Sequence, residues 1–170
     1  PIIQTLGMTE ASPLIASTQL PPHVRKPGSV GLSCGTEIAI FDHKWNRITD
    51  GNSGNIAIRG DNVFSGYEDD PAANAEAFHD GWFRTGDMGR IDSDGHLFIT
   101  GRTKELINRG GEKINPREVD DASLLHPAVA EAASFSVPHP TLGEDIALAV
   151  VSKPNATVDV TELRTFLGQK

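Results

Sequence analysis

The residue pattern of this chain changes at Gly101, and the change limits what it can fold into. Before that point, short apolar runs alternate with a period of two between turn residues. Ile38 and Ile40 fall on one face of a strand over residues 37–41, and Ile56 and Ile58 on one face over 55–59. The Asp50-Gly51 turn and Gly54 lie between them, and Gly60 closes the second. Asp70-Pro71 predicts a short helix through Phe78, with proline at its favoured first position. Residues 89–91 and 96–100 flank Ser93-Asp94-Gly95, a hairpin signature. Beyond Gly101, Asn115-Pro116-Arg117-Glu118 predicts a capped helix running to about His126, where Pro127 ends it. Ala133, Phe135 and Val137 alternate as one strand. The continuous apolar run 146–151 predicts a fully buried one. Asp159, with Glu162 three residues on, opens a last helix that presents Leu163, Phe166 and Leu167 on one face. The expected fold class is α+β, with residues 1–101 β-rich and 102–170 a small α+β unit.

The junction itself, residues 101–116, places Arg102, Lys104, Arg109 and Lys113 around Gly110-Gly111, against only Glu105 and Glu112. In a chain of formal net charge -8 this is a local basic island. Adjacent glycines allow close backbone approach or positive φ, and basic side chains beside such a loop suit a phosphorylated ligand. The overall acidity argues against a general nucleic-acid surface, and no apolar stretch is long enough to cross a bilayer. Cys34 is the single cysteine, so an internal disulfide is excluded and a reducing compartment, the cytoplasm by default, is expected. It lies in an SCG turn with no base in sequence view and reads as structural. The histidines show no metal-site spacing. The chain starts Pro1-Ile2-Ile3 without methionine. It stops at Lys170 inside the last helix with no glycine cap, so it reads as a piece of a longer protein.

Two further patterns carry chemistry. In Gly7-Met8-Thr9-Glu10, a hydroxyl able to donate to a phosphate oxygen precedes a carboxylate able to hold magnesium. In Trp82-Phe83-Arg84-Thr85-Gly86-Asp87, an aspartate placed by a glycine turn is able to accept from two vicinal hydroxyls, as acidic residues do with ribose. Each has a plain alternative, a helix cap and a turn aspartate, that the residues alone leave open. His126-Pro127, Val137-Pro138 and Gly143-Glu144 offer only a helix stop, a strand and a turn.

Together these patterns resemble the adenylate-forming superfamily of acyl-CoA synthetases, peptide-synthetase adenylation domains and luciferases. Residues 7–10, Gly54-x-Ile56-x-Ile58-Arg59-Gly60, Arg84-Thr85-Gly86-Asp87, Gly101-Arg102-x-Lys104-Glu105 and His126-Pro127 occur in the family's order and approximate spacing. The run GRTKELINRGGEKINPREVD and the KPGSVG at 26–31 look most like oxalate–CoA ligases and their peroxisomal relatives. The resemblance implies the β-rich C-terminal part of a large AMP-binding domain over residues 1–101, without its N-terminal part. It implies a truncated small C-terminal domain over 102–170.

It also implies an activity: ATP-dependent, magnesium-assisted conversion of a small carboxylic acid to an acyl-adenylate, then transfer to CoA. By the resemblance, Gly7 and Thr9 meet the AMP phosphate, Glu10 the magnesium, and Asp87 the ribose hydroxyls with Arg102 beside them. Lys104 matches the hinge between the domains. Gly110 and Gly111 match the loop along the pantetheine arm of CoA, and Lys113 faces the site in one of two conformations. Several positions depart from the family pattern. Leu6 stands where an adenine-stacking aromatic is usual. Asn55 replaces a glutamate and reads as a surface strand change. The Gly/Ser/Thr-rich phosphate loop is absent, as is the lysine near the family's C-terminus, since Lys170 lacks its motif context. The piece by itself is therefore expected to be inactive. The alternatives are an adenylation domain that loads an amino acid onto a carrier protein, or a non-catalytic nucleotide-binding or interaction module.

Overall fold

The computed structural model describes residues 2–169, so Pro1 and Lys170, on which the expectation of a cut chain partly rests, lie outside the described residues. The chain divides into two compact units, one through Thr103 and one from Lys104, each with its own antiparallel sheet. The fold class is α+β. No helix among the described residues is long and apolar enough to cross a membrane.

The first unit holds β1 (Thr5–Gly7), β2 (Leu14–Ser17), β3 (Ser29–Ser33), β4 (Glu37–Phe41), β5 (Arg47–Ile48) and β6 (Gly54–Arg59). The short helix α1 (Pro71–Ala77) follows, then β7 (Phe78–His79), β8 (Trp82–Ile91) and β9 (Leu97–Arg102). The sheet order is β1-β2-β3-β9-β8-β6-β4-β5, with β7 also on β8. The predicted alternation sets the register, because Ile38 faces Ile58 and Ile40 faces Ile56. Ile40, Ile56, Ile58, Phe83 and Leu97 form one core cluster with Leu6, Ala11 and Ile15. The opposite face is buried as well. Ala39, Ala57, Phe41 and Trp82 make a second cluster that Trp45 covers, with Phe41 edge-on to both indoles at 5.3 and 5.4 Å. Small alanines on that face leave room for the large rings. Asp70 caps α1 by accepting from the Ala73 N–H at 2.9 Å.

The second unit holds β10 (Ile107–Arg109), β11 (Glu112–Ile114), α2 (Pro116–Leu124), β12 (Val129–His139), β13 (Gly143–Ser152) and α3 (Val160–Leu167), with sheet order β11-β10-β13-β12. Asn115 and Asp159 cap the two helices through their side chains. Helix α2 lies on β12, where the Ser134 N–H donates to the Asp120 carboxylate at 2.6 Å and the Ser134 hydroxyl to the Pro116 carbonyl at 2.7 Å.

Three expectations need correction here. Helix α2 stops at Leu124 rather than near His126, because the Leu125 and His126 N–H groups turn back to carbonyls three residues earlier and tighten the last turn. Helix α3 runs to Leu167, and a glycine does follow it: Gly168 holds the C-cap position at right-handed helical angles, its N–H reaching the Arg164 carbonyl at 3.0 Å. The apolar run 146–151 is not fully buried: Ile146 is partly exposed and Val151 is 53% exposed. In its own unit α2 lies on β12, and Phe135 and Val151, on the other face of the sheet, are 50% and 53% exposed.

Lys26 donates to the carboxylates of both Asp92 and Asp94 in the β8–β9 turn. Asp92 also accepts from the backbone N–H groups of Asp94 and His96 at 3.0 and 2.9 Å. The Lys26 ammonium, helped by those N–H groups, holds the Asp92 carboxyl at about 2 against its ordinary 3.8. A carboxyl depressed in the folded state stabilises the fold above its unfolded pKa and loses that contribution as pH falls through the folded one. Asp92→Asn is expected to lower the urea midpoint of the first unit at neutral pH. The difference from the unsubstituted protein should shrink between about pH 4 and pH 2 and vanish below that window.

Candidate active site

Asp87 sits in the middle of β8, not in a turn as the sequence suggested. The partner strand β6 pairs Asn55 with Met88 but Ala57 with Arg84, so residues 85–87 oppose Ile56 alone. Extra residues on one strand make a bulge, and Gly86 absorbs it at φ +80 with open space where a side chain would be. Thr85 locks the distortion by donating to the Ile56 carbonyl at 2.9 Å and accepting the Asp87 N–H at 3.1 Å. On the other edge Asp87 is registered with Arg102 of β9, and the two side chains form an ion pair, Arg102 Nε to Asp87 Oδ1 at 3.0 Å. The carboxylate is thus largely buried and oriented, beside a half-exposed guanidinium. Such a group suits paired hydroxyl donors.

Thr9 and Glu10 lie on a single 3-10 turn (Thr9–Ala11) between β1 and β2. Gly7 ends β1 against Pro13, where a Cβ would fall 2.4 Å from the Pro13 carbonyl oxygen. Thr9 is exposed and Glu10 half-buried. The loop after β6 grips this turn. The Phe64 N–H donates to the Glu10 carbonyl at 2.9 Å, and the Asn62 amide donates to the Ala11 carbonyl at 2.8 Å. Leu6 is buried in the core cluster. The described residues contain no group of three or more His, Cys, Asp or Glu arranged around a metal. Magnesium held through one carboxylate, with phosphate oxygens and waters completing its shell, needs no such group, and the Glu10 carboxylate fits that role.

In the second unit the glycine pair is a two-residue hairpin turn joining β10 to β11, with Arg109 opposite Glu112. Gly110 and Gly111 have φ +62 and +97, the positive values a tight hairpin demands. The turn is anchored by Gly110 N–H to the Leu142 carbonyl at 2.9 Å and Gly111 N–H to the Asn108 side chain at 3.1 Å. A Cβ built on Gly111 meets nothing within 4 Å, so the turn is open on that side. Lys113 is exposed on β11 opposite Asn108, and Lys104 is exposed on the 3-10 turn Thr103–Glu105. The basic island is smaller than its sequence. Arg102 is held by Asp87 in the first unit, and Arg109 donates to Asp145 at 2.7 Å in the second. That Arg109 contact is the main cause of a lowered Asp145 pKa.

Sequence reasoning overlooked several participants. Asn55 is not a surface change: it is half-buried, and its Oδ1 accepts from the Thr103 hydroxyl at 3.2 Å. Thr85 was readable as a Ser/Thr-type turn residue two positions before Asp87. Glu144, read only as part of a turn, and Asp145, which carried no signal, fasten β10, with Glu144 accepting the Asn108 N–H at 2.6 Å. Tyr67, whose hydroxyl meets Glu10, has no short-range signal at all.

Comparison with known proteins gives these clusters a context. Residues 1–68 match the family model described as AMP-binding enzyme, and residues 118–170 match AMP-binding enzyme C-terminal domain. An oxalate–CoA ligase of Arabidopsis thaliana is 46% identical over 98% of this chain and 32% of its own length. A sulfoacetate–CoA ligase of Cupriavidus necator is 44% identical over 96% of this chain and 32% of its own. The crystal structure of ATP-bound MatB from Rhodopseudomonas palustris superposes with a TM-score of 0.85 at 33% identity, covering 99% of this chain and 34% of that one. The chain therefore spans about a third of the length of the curated relatives it matches.

The hairpin makes its own prediction. A β-branched side chain at a left-handed position costs roughly 1–2 kcal/mol. Gly111→Val is expected to speed amide hydrogen exchange in β10 and β11 by about tenfold, while β6 and β8 keep their protection. Unchanged exchange in β10 and β11 would count against the left-handed turn.

Proposed function

The chain belongs to the AMP-binding enzyme family, and from that premise we propose that its parent protein activates a small carboxylic acid with ATP and passes the acyl group to CoA. In the first half-reaction a carboxylate oxygen bonds to the α-phosphorus of ATP and pyrophosphate leaves, giving the acyl-adenylate. In the second the CoA thiol sulfur attacks the acyl carbon, AMP leaves with the bonding pair, and the thiol proton is lost. The observation that carries this reading is the 46% identity to a CoA ligase along 98% of the chain. The two relatives named above are ligases of oxalate and sulfoacetate, short acids with a second negative group, which supports a small polar acid as substrate. The first unit is then the C-terminal part of the large domain, and the second belongs to the small C-terminal domain, with the boundary expected after Gly101. The lone exposed thiol of Cys34 supports a reducing compartment, the cytoplasm or a peroxisome.

Each residue then has a role that its surroundings favour. Asp87, fixed by the bulge, accepts the two ribose hydroxyls, and Arg102 lies beside them. Thr9 donates to the AMP phosphate, and Glu10 supplies one oxygen to magnesium, which offsets phosphate charge when bound. Gly110 and Gly111 give the pantetheine arm of CoA a surface without side chains, and Lys113 is the cation that faces the site in one conformation. Lys104 is the pivot, a reading supported by the division of the compact units between Thr103 and Lys104. The direct test is pyrophosphate release by the full-length protein across a panel of short acids, followed by acyl-CoA formation. No release with any acid would end the proposal.

Two substitutions in the full-length protein probe the roles. Asp87→Ala removes charge-assisted hydrogen bonds worth roughly 1.5–3 kcal/mol each, so the KM for ATP is expected to rise at least about tenfold. An unchanged KM would remove Asp87 from the nucleotide site. Lys104→Pro fixes φ near about -65° and removes an N–H, where a hinge must absorb a large dihedral change. Single-turnover assays are expected to give near-normal acyl-adenylate formation and a failed thioester step. An equal fall in both steps would make Lys104 a structural residue.

A further inference from the structure

We propose that Tyr67 is a positioning residue for Glu10: its hydroxyl holds one carboxylate oxygen so that the other is presented to the nucleotide-bound cation. The inference rests on the reading of Glu10 as the magnesium ligand and extends it to a residue outside every motif of the sequence.

The Tyr67 hydroxyl donates to Glu10 Oε1 at 3.1 Å, and the described residues give Oε2 no donor. A half-buried glutamate on a short turn has three side-chain torsions to order before it serves a metal, and fixing them beforehand removes that entropy from the binding step. The tyrosine is itself unusually well held. The Asn74 side chain on α1 accepts the Tyr67 N–H at 2.7 Å and donates to the Tyr67 carbonyl at 2.8 Å, clamping both backbone groups of one residue. The Tyr67 ring packs edge-on to Phe64 at 4.9 Å, and Phe64 packs edge-on to Phe83 of the core at 5.1 Å. Phe64 is also the residue whose N–H binds the Glu10 carbonyl. One loop therefore fixes Glu10 at its backbone and at its carboxylate, and the capped helix α1 fixes the loop. A tyrosine hydroxyl keeps its proton at neutral pH, so the donor is constant. A neutral donor leaves the negative charge on Glu10, whereas a lysine there would cancel the charge a cation needs. Packing alone calls for the ring and not for the hydroxyl.

The test uses the full-length protein with Mn2+ in place of Mg2+ and α,β-methylene-ATP as nucleotide. Bound Mn2+ is titrated by electron paramagnetic resonance, and thermal unfolding is followed in parallel. Tyr67→Phe keeps the ring and its contact with Phe64 and removes only the hydroxyl. Its Mn2+ dissociation constant is expected to rise roughly three- to tenfold, the scale of one hydrogen bond to a charged group, with little change in unfolding temperature. In turnover the half-saturating Mg2+ concentration should rise in parallel, with an unchanged KM for the acid. Glu10→Gln separates the two levels of the argument. If Glu10→Gln weakens Mn2+ binding and Tyr67→Phe leaves it within twofold, the positioning role is overturned and the reading of Glu10 stands. If Glu10→Gln leaves Mn2+ binding unchanged, the reading of Glu10 fails and the positioning role with it.

Discussion

Strand β8 is the member on which the first unit depends. It pairs with β6 on one edge and β9 on the other, and β7 adds to it at its start. Its first residues serve both faces of the sheet at once, because Phe83 enters the isoleucine-rich cluster and Trp82 the alanine–aromatic one. Burial on both sides makes a register slip costly, since one step would exchange the two sets of side chains. The bulge at 85–87 is placed within this over-determined frame. Its irregular backbone is held by ladder bonds on either side and by the Thr85 hydroxyl, so the Asp87 carboxylate inherits the rigidity of the core beneath it.

The second unit reaches a fixed loop by another route. It has fewer fully buried apolar residues, with Ile107, Val129 and Leu163 the main ones, and relies on local hydrogen bonds. Asn115 and Asp159 cap the helices, Ser134 ties β12 to α2, and the β10–β11 hairpin is pinned to the Leu142 carbonyl and to Glu144 and Asp145. The sheet face carrying Phe135 and Val151 is outside this network. A hairpin held mainly by polar contacts at its base keeps its glycine tip unencumbered, which is what close approach of a ligand to backbone requires.

Glu10 shows how a carboxylate is placed by neutral neighbours. Among the described residues no cation pairs with it; a phenol and a set of backbone and amide contacts from a neighbouring loop define its place. The Asp92 carboxylate, by contrast, is gripped by Lys26 and serves the β8–β9 turn. The two acids differ in what holds them, a phenol and a loop in one case and an ammonium in the other.

Local sequence carried the alternating strands 37–41 and 55–59 and the caps at Asp70, Asn115 and Asp159. All of these rest on interactions within a few residues of chain, where composition and spacing act directly. It also marked Thr9, Glu10, Asp87, Arg102 and the Gly110-Gly111 pair, through motif resemblance rather than through any geometry it contained. Tertiary structure alone decided which charges are engaged, because Asp87–Arg102 is a pairing across strands and Arg109–Asp145 joins residues far apart in the chain. It decided that 146–151 lies half-exposed, since burial depends on which layers cover a strand and not on how apolar the strand is. It also brought Tyr67 to Glu10 across 57 residues of sequence. No local pattern encodes a contact made by the fold of a loop over a sheet.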